Sequence, residues 1–204
     1  MREALNDSHA IAKAMEYCHA GIDKYIIMHH NLKPDNIGKF LCHRPKIFNL
    51  TLFVSFKGYK SDGTLKIFDF ELATMTDRKS VCSNQLHKMT DAGALRYMAP
   101  EVAKHLPCNY KAEVYTFGII LSELLSHDKP FAGMNVDEYF KYVVDGELRP
   151  HRCKKCPKEL NQLMQKCWSS DIVVRPSFKD VVSVLESILI NLNKKAASQV
   201  IFIH

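Results

Sequence analysis

The chain has 204 residues, 47% of them apolar and 25% charged, with a formal net charge of +6. That is the balance of an ordinary soluble globular protein with enough apolar residues for one sizeable core. No apolar run reaches 18 residues, which excludes a spanning helix, and Met1 to Ala10 is polar, which excludes a signal-peptide core. A charge of +6 argues only weakly for an acidic partner, so neither nucleic acid nor membrane is expected as one. Seven cysteines is an odd number and the context is not secretory, so reduced thiols and a cytoplasmic location are expected.

Residues 3 to 20 read as an amphipathic helix, with Leu5, Ala12, Met15 and Tyr17-Cys18 at roughly helical spacing and Gly21 as its stop. Tyr25-Ile26-Ile27-Met28 is a short apolar strand. The run Lys46 to Phe56 is apolar, β-branched and aromatic, and Asp62-Gly63 is a turn signal before Leu65 to Phe68. Residues 72 to 98 are polar, with candidate phosphorylation sites at Thr74, Thr76, Ser80, Ser83 and Thr90, each of which reads first as a solvated loop residue. Val114 to Leu125 is a buried helix, and Lys129-Pro130-Phe131 ends it. Asn135 to Val144 is a further helix capped by Asn135 or Asp137. Pro157 to Trp168 is another, with Leu160, Leu163, Met164 and Cys167 on one face. Pro176 opens the last, with Phe178, Val181, Val182, Leu185, Ile188 and Leu189 at core spacing. There are no internal repeats. His151-x-Cys153-x-x-Cys156 has the spacing of half a zinc site, but no second pair stands at matching spacing, and Cys42-His43 is remote.

The chemistry-bearing stretch is residues 29 to 36. His29, Leu32, Lys33 and Asn36 stand where the pattern H-R-D-L-x-x-x-N has them, with His30 at its Arg and Asn31 at its Asp. Downstream, Asp69-Phe70-Glu71 is similar to D-F-G, and Ala99-Pro100-Glu101 is A-P-E, preceded by Gly93-Ala94-Leu95-Arg96-Tyr97-Met98. Glu113-Val114-Tyr115-Thr116-Phe117-Gly118 is similar to D-V-Y-S-F-G, and Trp168 with Arg175-Pro176 to C-W…R-P. Five matches in order over most of the chain make it resemble the protein kinase superfamily, in the wording of the tyrosine-kinase-like group. The resemblance implies a mainly α architecture within an α+β family fold: the large helical C-terminal lobe with short β-hairpins around the catalytic loop. Residues 1–192 would form the lobe, 69–101 its activation segment and 193–204 a tail. No G-x-G-x-x-G loop or V-A-I-K-like lysine precedes His29, so the N-terminal lobe is expected to be missing here, and to lie upstream if the reading frame is incomplete.

By the same resemblance ATP and Mg²⁺ would be the cofactors, with Lys33, Asn36 and Asp69 on the nucleotide side and Asn36 and Asp69 as the metal ligands. Lys33 would stabilise the transferring phosphoryl group. Asn31 occupies the base position, and an amide is not a base near neutral pH. A positioned general base contributes about 10²–10⁴-fold, so a large loss of activity is expected. Glu71 stands where a Gly permits special backbone geometry. Ala94 stands where a Thr or Ser hydroxyl bridges to the catalytic Asp and Lys. His30 stands where an Arg pairs with a phosphorylated activation segment. His29 and Phe70 are framework positions. Glu113 stands where an Asp caps the loop, one methylene longer, and Glu101 and Arg175 resemble a buried ion pair.

Asn36 and Asp69 are 33 positions apart, against about 13 in the family. The excess of about twenty residues falls near 39–58. A surface insertion at a hairpin tip and a translated intron both fit it. Three readings of the whole follow: an impaired kinase acting on a protein substrate, a pseudokinase module binding a protein partner through about Asn135 to Val144, and a truncated fragment of an active kinase.

Overall fold

The computed structural model describes residues 1–39, 65–79 and 95–201. The insertion, Asp62-Gly63, Ala94 and the hydroxyls of Ser80, Ser83 and Thr90 lie outside the described residues. What is described is mainly helical. Helix α1 (Arg2–Ala20) leads into strand β1 (Tyr25–Met28), a single 3₁₀ turn (Pro34–Asn36) and strand β2 (Ile37–Lys39). Strands β3 (Leu65–Ile67) and β4 (Thr74–Asp77) follow, then helices α2 (Pro100–Ala103), α3 (Lys111–Ser126), α4 (Val136–Tyr139), α5 (Lys158–Cys167) and α6 (Phe178–Ile201).

Helix α3 is the centre. Every residue from Ala112 to Ser122 is buried, because an element apolar all round can only sit inside. Helix α1 packs across α3 and α6, and α5 packs on α3 and α6. The core joins Leu5, Ile11 and Met15 of α1 to Phe117 and Ile120 of α3, Leu160 and Met164 of α5, and Phe178, Val181 and Leu185 of α6. Each such side chain contributes roughly 1.5–3 kcal/mol by leaving water. Gly118 lets α3 and α5 approach closely: a Cβ there would stand 2.8 Å from the Cys167 Cβ.

The α1 stripe differs from expectation at one residue. Tyr17 is 43% exposed, and Ser8 and His19 are buried instead. Ser8 satisfies its hydroxyl on the Ala4 carbonyl at 2.6 Å, which lets a small polar residue occupy a core position. The expected helix from Asn135 is regular only to Tyr139 and continues as a π-type turn, Phe140–Val144. Asn135 caps it in a capping box with Glu138. The last helix begins two residues after Pro176, because Ser177 and Asp180 form a second such box. It runs unbroken past residue 192, so the tail is helical to Ile201.

Two antiparallel two-stranded ladders frame the loop at 29–36. Strand β1 pairs with β4, Ile27 opposite Met75, and β2 pairs with β3, Gly38 opposite Lys66. The second ladder juxtaposes the ends of residues 36–39 and 65–69. Strand β4 was legible only as a polar loop, since Thr74-Met75-Thr76-Asp77 buries only Thr76.

Candidate active site

The loop after β1 is held from below by one carboxylate. Glu113, in the first turn of α3, accepts the His29 N–H at 2.6 Å and the His30 N–H at 2.8 Å on Oε1. Its other oxygen meets His19 Nε2 at 2.6 Å. Both side chains are about 5% exposed. Burial alone would push the Glu113 carboxyl up. The His19 hydrogen bond and charge, with the His30 N–H, outweigh it and hold the group below its ordinary 4.5. Glu113 thus reaches two successive backbone donors with one oxygen and His19 with the other.

His29 is wholly buried. Its Nδ1 accepts the Asn31 N–H at 3.2 Å, and its Nε2 lies 2.7 Å from the Phe68 carbonyl. A carbonyl only accepts, so Nε2 carries the proton and the ring is the Nε2–H tautomer. The Phe70 ring lies against the imidazole, centroids 4.5 Å apart. One histidine therefore ties together the loop that carries Asn31 and the segment that carries Asp69.

The structure brings Asn31, Asn36 and Asp69 together. Asn31 Nδ2 donates to Asp69 Oδ2 at 2.8 Å. Asn36 Nδ2 donates to the same oxygen at 3.1 Å and to the Asn31 carbonyl at 2.8 Å. Asn31 Oδ1 is buried and has no partner among the described residues. Lys33, two residues on, is half-buried in extended backbone. The backbone is left-handed at His30 (φ 63°) and Asp69 (φ 62°), a conformation that costs a side-chained residue about 1–2 kcal/mol. Glu71, by contrast, is not among the residues of positive φ. The Ala73 N–H closes a turn on the Phe70 carbonyl at 3.1 Å, so a residue with a Cβ fits at 71. The strain sits at Asp69 instead.

Further supports lie outward. His30 Nε2 is 2.6 Å from Thr74 Oγ1, at the start of β4. Glu101 and Arg175 form a bidentate pair, Nη1–Oε1 2.5 Å and Nη2–Oε2 2.9 Å. Arg175 is 1% exposed and also donates to the Ser169 carbonyl at 2.8 Å. Its guanidinium stacks over the Tyr115 ring, and Arg149 lies 5.3 Å from the same centroid.

Sequence reasoning passed over two residues here. His19 falls on the α1 stripe with Ile11, Ala12, Met15 and Cys18, and a histidine on a buried stripe calls for a partner, so that signal was present. Arg78 had none. Its guanidinium donates to the carbonyls of Asp23, His19, Ile22 and Tyr25, fastening the end of β4 to the α1–β1 turn.

This geometry agrees with the comparisons of the sequence. A family model described as protein tyrosine and serine/threonine kinase matches residues 1–185. The chain belongs to the protein kinase family. It is 36% identical over 186 residues to the serine/threonine-protein kinase VIK of Arabidopsis thaliana, covering 91% of this chain and 37% of that one. It is 38% identical over 133 residues to the dual specificity protein kinase shkA of Dictyostelium discoideum, covering 63% and 24%. It is 32% identical over 181 residues to mitogen-activated protein kinase kinase kinase 7 of Bos taurus, covering 87% and 28%. The chain thus spans well under half the length of these curated relatives.

Proposed function

We propose that this chain is a protein-kinase lobe in which phosphoryl transfer from ATP to a protein hydroxyl is inactive or strongly impaired. The observation that carries this reading is the hydrogen bond from Asn31 Nδ2 to Asp69 Oδ2. An asparagine at 31 can make it at neutral pH and an ionised aspartate cannot. An aspartate at 31 would set two carboxylates against each other and drive them apart. The amide therefore does two things: it offers no basic oxygen for a substrate proton, and it engages the carboxylate that would hold a metal.

The donor set fits Mg²⁺ in kind, since that ion takes oxygen ligands and keeps several waters. Asp69 is exposed, and Asn36 turns its nitrogen to the Asn31 carbonyl, which leaves its Oδ1 for a cation. Bound there, the ion would neutralise phosphate charge. Lys33 would supply a second positive charge beside it. The chain's own contribution is positioning: Glu113 fixes the loop, His29 couples it to Asp69, and Asn36 bridges the two. Glu101 and Arg175 secure the segment that follows. A cytoplasmic protein substrate or partner suits this reading. Among the described residues no helix is long and apolar enough to cross a membrane.

A second reading, a pseudokinase module that binds a protein partner, is favoured by a cavity of about 260 Å³ between Leu95-Arg96 and α4, lined by Phe131, Met134, Val136 and Tyr139. Val136 is 61% exposed at its rim.

The test is phosphotransfer from Mg-ATP to a generic protein substrate by the chain and by Asn31→Asp. The first reading expects the wild type near background and the variant faster by about 10²-fold or more. Wild-type turnover at about 1–100 s⁻¹, the usual kinase range, would refute impairment. Both proteins inert, with no thermal shift on Mg-ATP, would show that Asn31 is not what limits turnover and would favour the binding module.

A further inference from the structure

Cys153 and Cys156 are joined as a disulfide, against the expectation of reduced thiols throughout. While bonded, the pair offers no thiolate to zinc. The bridge lies in the loop before α5. Asn161 holds that loop by accepting the Cys153 N–H at 3.1 Å and donating to the Cys153 carbonyl at 3.0 Å. The Cys156 N–H closes a turn on the Cys153 carbonyl. Both cysteines are partly exposed at the edge of the core.

Its surroundings are strongly one-signed. From His151 to Lys158 the chain carries Arg152, Lys154, Lys155 and Lys158, all exposed, and no carboxylate. The flanking acids are Glu147 and Glu159, both exposed. Positive charge beside a cysteine favours the thiolate, and a thiol that is stable as an anion leaves a disulfide more readily. The same charge raises the local concentration of an anionic reagent. The other described thiols have the opposite character. Burial pushes Cys18 up to about 12 and Cys108 to about 11, and raises Cys167 as well.

We propose that Cys153 and Cys156 form a thiol–disulfide exchange site for anionic low-molecular-weight thiols. The attacking thiolate bonds one cysteine sulfur and breaks the S–S bond, and the other cysteine leaves as a thiolate. A second thiolate attacks the mixed disulfide and releases the first cysteine. The net result is two protein thiols from one disulfide, two reagent thiols oxidised to one disulfide, and two electrons transferred.

The test measures the rate at which the bridge opens in the full chain, read by alkylation and mass spectrometry of the peptides carrying Cys153 and Cys156. Glutathione, an anionic thiol, is compared with cysteamine, a cationic one. Each rate is divided by that thiol's rate on a neutral reference disulfide. The expected glutathione-to-cysteamine ratio is about tenfold at 10 mM ionic strength, falling toward one at 0.5 M salt as charges are screened. In Lys154→Glu/Lys155→Glu, two exposed changes with no folding cost expected, the ratio falls below one. A ratio near one at low salt, a ratio unmoved by the double substitution, or two cysteines that alkylate without any reductant would each overturn the proposal.

Discussion

The Glu101–Arg175 pair is the contact whose loss should be felt most. Replacing Glu101 by Gln keeps the shape and one hydrogen bond but leaves the Arg175 guanidinium, 1% exposed, without its counter-charge. The remaining partners are the Ser169 carbonyl at 2.8 Å, the Lys111 carbonyl at 3.3 Å and the Tyr115 ring. These are dipoles and a quadrupole, which cannot neutralise a cation. Breaking a buried pair from one side costs about 3–5 kcal/mol. For a domain of this size each kcal/mol moves Tm by about 2–4 °C, so Glu101→Gln should melt roughly 6–20 °C below the wild type. Arg175→Met should cost a similar amount, because it strands the Glu101 carboxylate. The double variant should cost less than the sum of the singles by about 1–3 kcal/mol, a range typical of directly coupled residues. Urea denaturation of the four proteins gives the cycle. A Glu101→Gln loss under 1 kcal/mol, or a coupling below about 0.5 kcal/mol, refutes the argument that this pair clamps α2 to the segment before α6.

Gly118→Ala should destabilise by about 1–3 kcal/mol, the usual cost of overpacking, since the new methyl meets the Cys167 Cβ at 2.8 Å; an unchanged urea midpoint would show that α3 and α5 can part freely. Ser177→Ala removes the hydroxyl from the α6 capping box and should cost about 1 kcal/mol by the same measurement. The Glu113 carboxyl is lowered in the fold, so the fold binds its proton less tightly than the unfolded chain does. Its stabilisation is present above the unfolded value of 4.5 and is lost as pH falls through and below it. Stability measured from pH 6 to pH 3 should therefore fall more steeply in the wild type than in Glu113→Gln, and equal slopes would count against the assignment.

The helices were legible because their apolar spacing is long and regular. Leu160, Leu163, Met164 and Cys167 lie on the buried face of α5 as their spacing requires, and Phe178, Val181, Val182, Leu185 and Ile188 are buried in α6. Strand β4 was hidden because its four residues carry no alternation and owe their extended form to pairing with β1. The π-type turn at Phe140–Val144 was hidden for a related reason: its apolar residues fit a helical period as well as a wider one. At the site, the motif gave the residue positions but not their mutual contacts. Nothing in the spacing of Asn31, Asn36 and Asp69 says that two amides converge on one carboxylate oxygen. The bridge between Cys153 and Cys156 was missed because cysteine parity and compartment are statements about the whole chain, while the bond depends on a local turn.

The departures from the family pattern divide into two kinds, and the division follows from geometry. Glu113 differs from the usual Asp by one methylene, yet it still reaches both loop N–H groups, and its other oxygen pairs with His19. Glu71 replaces a glycine, yet the turn there does not ask for positive φ. Both changes leave the scaffold with its hydrogen bonds made, so they need no chemistry to be retained. Asn31 is different. Its amide nitrogen is paired with Asp69, while its oxygen is buried without a donor among the described residues. Burying a polar atom that way usually costs about 1–3 kcal/mol, and the scaffold needs neither end of that side chain to hold the loop, since Glu113 and His29 do so through the backbone. Asn31 is therefore the departure that bears most directly on chemistry, and Asn31→Asp, which also sets a second carboxylate against Asp69, separates the two proposed functions.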